Sequence, residues 1–564
     1  MHEADTILAG GRIITVDAAF SIADSIAIAD GRVLAVGTRA EIDAHRGPAT
    51  VVHDLAGRAV LPGLIDGHAH MDREGLKAIF PSLGRVRCIA DIQARIADLA
   101  RAARPGEWIV TMPIGDPPYY FDMPALLAEQ RWPTRQELDA AAPDNPVYIR
   151  SIWGFWRHTL PLVSCANSLA LARAGITRET VSPIDTLQIV RDDAGEPTGV
   201  FLEGEMQPIA ELTFFRNAPG FTRAHRAAAL PESQRLYHAY GTTSVFEEHG
   251  AATELLRAYK DARREGTLTM RTSLVFSPNW RLLAGADPAA VLEAWGGWLG
   301  EPALGDDMLK MSGLFVDLDS TLANQLRGSA APYTGWAGFN YETALPRETL
   351  LQVLRACVAN DIRAVAIWPN MLDLFEEIDR ETPLAGRRWV IGHISVLSPR
   401  DIERIVRMGL VVTSHTNRYV EKEGHLLMQR LPPERHDEIV PLRTLIEAGV
   451  HVSLGTDNVP VTLFAPIWHS IARRSRYVGE PVAAGQGLSR EQAIRAATID
   501  GAYLTFDEHR KGSLEPGKLA DVAVLDADPL TVAENKIRDI RAVMTMVGGR
   551  VVYAGEEWTA AESG

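Results

Sequence analysis

The sequence predicts an α/β protein: a closed (β/α)8 (TIM) barrel, a small β-sandwich domain built from both termini, and a long insertion after strand one. Three observations predict it. Eight apolar, β-rich runs recur through the middle of the chain, with helical patterns between most of them. The polar residues that can do chemistry stand at the C-terminal ends of those runs. The two ends of the chain carry matching hairpin signals.

The runs begin at Gly63 (GLIDGHAH), Gly241 (GTTSVFEEH), Met270 (MRTSLVF), Leu309 (LKMSGLFVD), Ile362 (IRAVAIW), Trp389 (WVIGHIS), Leu410 (LVVTSHT) and Val450 (VHVSLGTDN). Segments such as RETLLQVLRACVAND and SPRDIERIVRMG between them have helical spacing. Strand–helix alternation argues for parallel strands, and eight of them close a barrel. An open doubly wound sheet is the alternative. Its usual phosphate-binding signatures, GxGxxG and GxxxxGK[ST], are absent from the chain.

At the ends, ADGRVLAVG from Ala29 and VGGRVVYAG from Val547 resemble each other, each centred on a hairpin turn. Two isolated hairpins would be marginal in water, so one composite domain from residues 1–60 and 508–564 is expected. The barrel then spans 61–507, with an inserted lid at about 73–238. The insertion is rich in aromatics. Its stretch RDDAGEPTGVFLEGE has turn chemistry at Asp193-Ala194-Gly195 and leads to Glu203.

Composition bounds the partners. The 57 basic against 72 acidic residues give a net charge of −15, which argues against a nucleic-acid surface. Three widely spaced cysteines fit neither a disulfide framework nor a thiolate zinc site. No apolar run is long enough to span a membrane, and the N-terminal stretch lacks signal-peptide features. A cytoplasmic enzyme acting on a small molecule is expected. A homo-oligomer stays open, by analogy with other barrels only.

His68 and His70 close the first run, two residues apart on one strand face and about 7 Å apart along the backbone. Two imidazoles on one face can bind one borderline metal ion. His393 from the sixth run and Asp457 from the eighth converge on the same rim, where such barrels build active sites. Alone, a strand histidine is more often a hydrogen-bonded core residue; the combination is what carries the signal.

These residues, with the split terminal domain, resemble the amidohydrolase superfamily of metal-dependent hydrolases. VLPGLIDGHAHMD, SLGTDNVP, SREQAIRAATIDGAYLTF and GSLEPGKLADVAVLDADP carry the likeness over nearly the whole chain. GEPTGVFLE and CANSLALARAGI point to the branch labelled YtcJ-like. The resemblance implies His68 and His70 as strand-one ligands, His393 as the strand-six histidine, and Asp457 as ligand and proton acceptor for the attacking water. Two positions depart from the branch pattern. Gly313 stands at its strand-four lysine, with Lys310 facing the other side, and Trp368 stands at its strand-five histidine.

With those two positions altered, one divalent ion is favoured over two, zinc first and manganese second. The further ligand is ranked His393, then Glu203, then His249. The expected reaction is hydrolysis of an amide or cyclic amide C–N bond by a metal-activated water, with Asp457 and His393 as the catalytic pair. Trp153, Trp156, His158, Trp368, His415 and Arg418 are expected to contact a partly aromatic substrate, although the rings would equally serve as the insertion's own core. A non-hydrolytic decarboxylase or lyase on the same scaffold is one alternative, and a catalytically silent ligand-binding protein the other.

Overall fold

All eight runs form strands, and they lie side by side in chain order: Leu64–Asp66, Thr242–Ala251, Arg271–Phe276, Leu309–Phe315, Ala364–Ala366, Val390–Ile391, Val411–Ser414 and Val452–Leu454. Every pairing between neighbours is parallel. The first and eighth meet through Gly67 N–H to Leu454 O (2.9 Å) and Asp457 N–H to His68 O (2.9 Å), which closes the ring. The computed structural model describes residues 2–117, 120, 122–151, 160–204, 208–283, 285–300, 304–318, 322, 326, 335–340 and 343–558.

Inward side chains fill the barrel rather than leaving a pore. Phe246, Val275, Phe315, Val365, Ile367, Val390 and Val411 pack there with Leu504. Below them the buried Arg363 donates to the carbonyls of Ser312 and Leu504, its guanidinium lying 5.2 Å from the Phe246 ring and 4.8 Å from that of Phe506. The floor is sealed, so the polar residues are left to the opposite end.

The crossover helices follow local rules. Pro399–Met408 starts at a reciprocal Ser398–Asp401 capping box and ends where Gly409 turns left-handed (φ 62°). The family-like stretch after strand eight is two short helices, Arg490–Ala496 and Ile499–Leu504, broken at Thr498.

The termini build one eight-stranded sheet. Its main path runs Arg550–Ala554, Ala542–Val547, Val522–Leu525, Ala59–Pro62, Ala4–Ile14, Ile22–Ala29 and Arg32–Gly37, and Arg46–Asp54 pairs with Ala4–Ile14. Both hairpin turns have positive φ at both central residues, Asp30-Gly31 and Gly548-Gly549, matching the twist of their strands. Gly31 is needed on space as well: a Cβ there would lie 2.9 Å from Gly548 O. Strand Ala59–Pro62 pairs with Val522–Leu525 and runs on through Gly63 into barrel strand one.

At the floor, Arg271 makes a buried two-pronged bond to Asp521 (2.7 and 2.9 Å). Lys310 gives its ammonium to Thr505 O (2.6 Å) and Asp507 (2.8 Å). Gly313 has φ 125°, and a Cβ on it would lie 2.5 Å from Arg363 O.

The chain divides into two compact units: Met1–Glu74, Leu230–Asp319 and Thr343–Gly564 form the first, Gly75–Ala229 and Ser320–Glu342 the second. The second contains a five-stranded sheet in the order Leu187–Arg191, Pro197–Glu203, Leu162–Ala166, Val147–Ile149 and Ile109–Thr111. Tyr148 stacks on Phe215 (4.3 Å) in its core. Among the described residues, no helix is long and apolar enough to cross a membrane.

Candidate metal centre

Strand one delivers its two histidines through a set of buried clamps. Asp66 accepts from His68 N–H (3.1 Å), from Thr456 N–H (3.0 Å) and from the Thr456 hydroxyl. It thereby ties the end of strand one to the loop after strand eight. Burial pushes its carboxyl up to about 7, against the pull of those hydrogen bonds. Asn458 holds the next residues: its amide accepts from His70 N–H (2.9 Å) and donates to His70 O. The outcome is a separation of 3.3 Å between His68 Nε2 and His70 Nε2.

Strand two stands behind both rings. Glu248 bonds His68 Nδ1 and takes the Thr413 hydroxyl (2.6 Å). Glu247 accepts from Met71 N–H (2.9 Å) and Tyr259 OH (2.7 Å), and its other oxygen lies 3.9 Å from His70 Nδ1. A carboxylate behind an imidazole fixes the ring and its tautomer and leaves Nε2 for a ligand role. The register slips between Glu247 and Ala251, so simple alternation does not say which way consecutive glutamates point. Gly392 makes room: a Cβ on it would lie 2.7 Å from Glu248 Oε1.

The remaining groups come from strands six, seven and eight. His393 has φ 48°, Asp457 φ 50° and Asn458 φ 64°, backbone states that an L side chain adopts at a cost and that cluster at functional sites. Asp457 Oδ1 lies 3.3 Å from His70 Nε2 and 3.8 Å from His68 Nε2. His415 packs ring to ring with His68 (3.9 Å) and His393 (4.2 Å). His393 Nδ1 meets Tyr419 OH at 3.2 Å, and its other face carries Trp368 at 4.8 Å. Ligand-type atoms of His68, His393, His415 and Asp457 lie within 4.8 Å of one another, as do those of His68, His70 and His249.

The donors fit a divalent ion. Burial first, then neighbouring charges, holds His68 down to about 4 and keeps His70, His249, His393 and His415 well below the usual imidazole range. All five rings are therefore neutral at pH 7, the form that binds metal. His393 Nε2 and both nitrogens of His415 are buried without a hydrogen-bond partner among the described residues. Buried polar atoms are rarely left so, and a ligand explains them.

The other expected residues fall as follows. Half-buried Trp368 sits beside His393. Arg418 lies in the helical turn Asn417–Lys422, its Nε on Glu423 (2.9 Å) and its guanidinium 5.0 Å from the Tyr419 ring. Glu203 belongs to the second unit, where it accepts from Ala210 N–H (3.0 Å) at 1% exposure and burial pushes its carboxyl up to about 8. Trp153, Trp156 and His158 lie outside the described residues. Sequence reasoning missed Tyr419 and Lys422. Lys422 is a buried lysine that burial pushes down to about 8, and no spacing signal marks either residue.

A parallel barrel whose mouth gathers five imidazoles and an aspartate from strands one, two, six, seven and eight defines the class of fold and site. Residues 51–553 match the amidohydrolase family, and the chain belongs to it. It is 26% identical to the N-substituted formamide deformylase of Arthrobacter pascens, over 97% of this chain and 98% of that protein. It is 24% identical to the putative amidohydrolase YtcJ of Bacillus subtilis, over 96% and 98%. Among solved structures, an uncharacterized metal-dependent hydrolase from Pyrococcus horikoshii shares the fold, with a TM-score of 0.67 at 20% identity, over 94% of this chain and 99% of that one.

Proposed function

We propose that this chain is a metal-dependent hydrolase that cleaves the C–N bond of a small amide, working as a cytoplasmic enzyme with one divalent ion, zinc before manganese. The observation that carries the reading is the group of imidazoles around Asp457, in which His393 Nε2 and both nitrogens of His415 are buried without a hydrogen-bond partner among the described residues. The kinship with an N-substituted formamide deformylase supports an acyclic amide as the first substrate class to try.

His68, His70, His393 and Asp457 would hold the ion. Bound there, it supplies Lewis acidity, lowering the pKa of a water towards about 7 and polarising a carbonyl oxygen. Asp457 takes the proton of the attacking water and returns it to the departing nitrogen, a role worth about 10²–10⁴-fold. Its backbone is held for that task by the bond from its own N–H to His68 O. Glu248 keeps the His68 ring in place through Nδ1, and Glu247 holds the backbone after His70 by accepting from Met71 N–H. Trp368 would offer an apolar wall to the substrate, and Arg418 a charged group beyond it.

The test is metal content per chain by elemental mass spectrometry, with His70→Ala as control, followed by formate release from a panel of N-substituted formamides. About one equivalent, lost in the variant, together with turnover, is expected. No metal after reconstitution overturns the reading. Near-normal turnover by metal-loaded Asp457→Asn overturns the role given to Asp457.

A further inference from the structure

Strand five offers the centre no imidazole. Its inward side chains, Val365 and Ile367, belong to the apolar filling, and the next residue is Trp368. Strand seven does offer one. His415 is 1% exposed, as deep as His68 at 0%, whereas the Asp457 side chain at 9% faces the open mouth. A substrate contact needs an accessible edge, and His415 has almost none.

Resting on the hydrolase reading above, we infer that His415 is a metal ligand that takes over the place of an absent strand-five histidine. Bonds of 2.0–2.2 Å in tetrahedral array put neighbouring ligand atoms about 3.3 Å apart. His68 Nε2–His70 Nε2 and His70 Nε2–Asp457 Oδ1 already stand at 3.3 Å. His415 Nδ1 stands 3.9 Å from Asp457 Oδ2, and ligand-type atoms of His68, His393, His415 and Asp457 lie within 4.8 Å of one another, so His415 is placed to join the ion that the other three would hold. The tautomer follows from the other nitrogen. His415 Nε2 faces Glu248 Oε2 at 4.0 Å, the same oxygen that bonds His68 Nδ1. Nδ1 of His415 is thus the nitrogen on the Asp457 side, while Glu248, bonded to His68 Nδ1, leaves Nε2 of His68 turned to the ion. Trp368, packed on His393, walls off the side that a strand-five ligand would have occupied.

A ligand and a structural histidine behave oppositely when replaced. His415→Leu removes two buried nitrogens that have no partner in the metal-free protein, so the metal-free Tm should stay level or rise. Affinity for zinc, read by chelator competition, should fall on the order of 10²-fold or more. His415→Gln, which keeps polarity and loses the imidazole, should show the same fall, and cobalt-loaded protein should lose its wild-type visible spectrum. Unchanged zinc affinity in both variants, with KM raised, would make His415 a substrate contact and overturn the inference while leaving the hydrolase intact. A wild type that binds no zinc would remove the hydrolase reading beneath it.

Discussion

Asn458→Ala probes the clamp that orders His70. The side chain is fully buried and makes three hydrogen bonds: from His70 N–H (2.9 Å), to His70 O, and from Tyr237 OH (2.8 Å). Each is worth about 1 kcal/mol net, so their loss costs about 3 kcal/mol. Residue 458 also has φ 64°, which asparagine tolerates better than alanine by roughly 1 kcal/mol. The sum is about 4 kcal/mol. For a unit of roughly 390 residues the unfolding entropy is about 0.8 kcal/mol/K, which makes a fall in Tm of about 5 °C. The assay is thermal unfolding of metal-free protein by circular dichroism, with metal content alongside. Tyr237→Phe, made singly and together with Asn458→Ala, should show a coupling of about 1 kcal/mol. A fall below about 1 °C with undiminished metal content would refute the reasoning that Asn458 fixes His70.

Glu248→Gln replaces the carboxyl that bonds His68 Nδ1 with an amide, and zinc affinity by chelator competition should drop about 10–100-fold; an unchanged value would deny Glu248 its orienting role. Burial holds His238 down to about 4, below the 6.5 of an exposed imidazole, so between these pH values the unfolded chain binds more protons and acid destabilises the fold. From pH 7.5 to 5 this residue costs about 2 kcal/mol, so metal-free His238→Gln should lose about 2–3 °C less in Tm over that span than the wild type does. Lys310 is committed to Thr505 O and Asp507 at the floor, so metal-loaded activity should be the same with and without bicarbonate. A bicarbonate requirement would mean a carboxylated lysine elsewhere, with buried Lys422 the one to replace.

The barrel was legible because each strand is an apolar run that stops at a polar residue, and because helix signals such as Ser398-Pro399 and Gly409 punctuate the gaps. The terminal hairpins were legible at Asp30-Gly31 and Gly548-Gly549, since few residue pairs accept two positive φ values. The way those hairpins share one sheet was not, because pairing between residues hundreds apart leaves no local pattern. His68, His70, His393 and Asp457 could be picked out by their place at strand ends. The parts played by Glu247 and Glu248 could not, because the slip in strand two breaks the two-residue period that assigns side chains to faces. The depth of His415 was equally invisible: a single histidine after VVTS reads the same whether it faces substrate or sits behind two other rings.

Strand Ala59–Pro62 has a bearing on how the molecule comes into being. Pro62 pairs with Val522, and the barrel strand that follows it lies against Thr242 on one side and the end of strand eight on the other. At ~5–20 residues per second, synthesis reaches residue 522 roughly 20–90 s after residue 62. Throughout that interval the segment carrying His68 and His70 waits beside edges that do not yet exist. Such long-range closure is slow and leaves apolar strand exposed to wrong partners, so production should respond to lower temperature and to chaperone supply. The two histidines are then among the last groups to be fixed, so an ion held by both would be captured by a finished barrel, not by a growing chain.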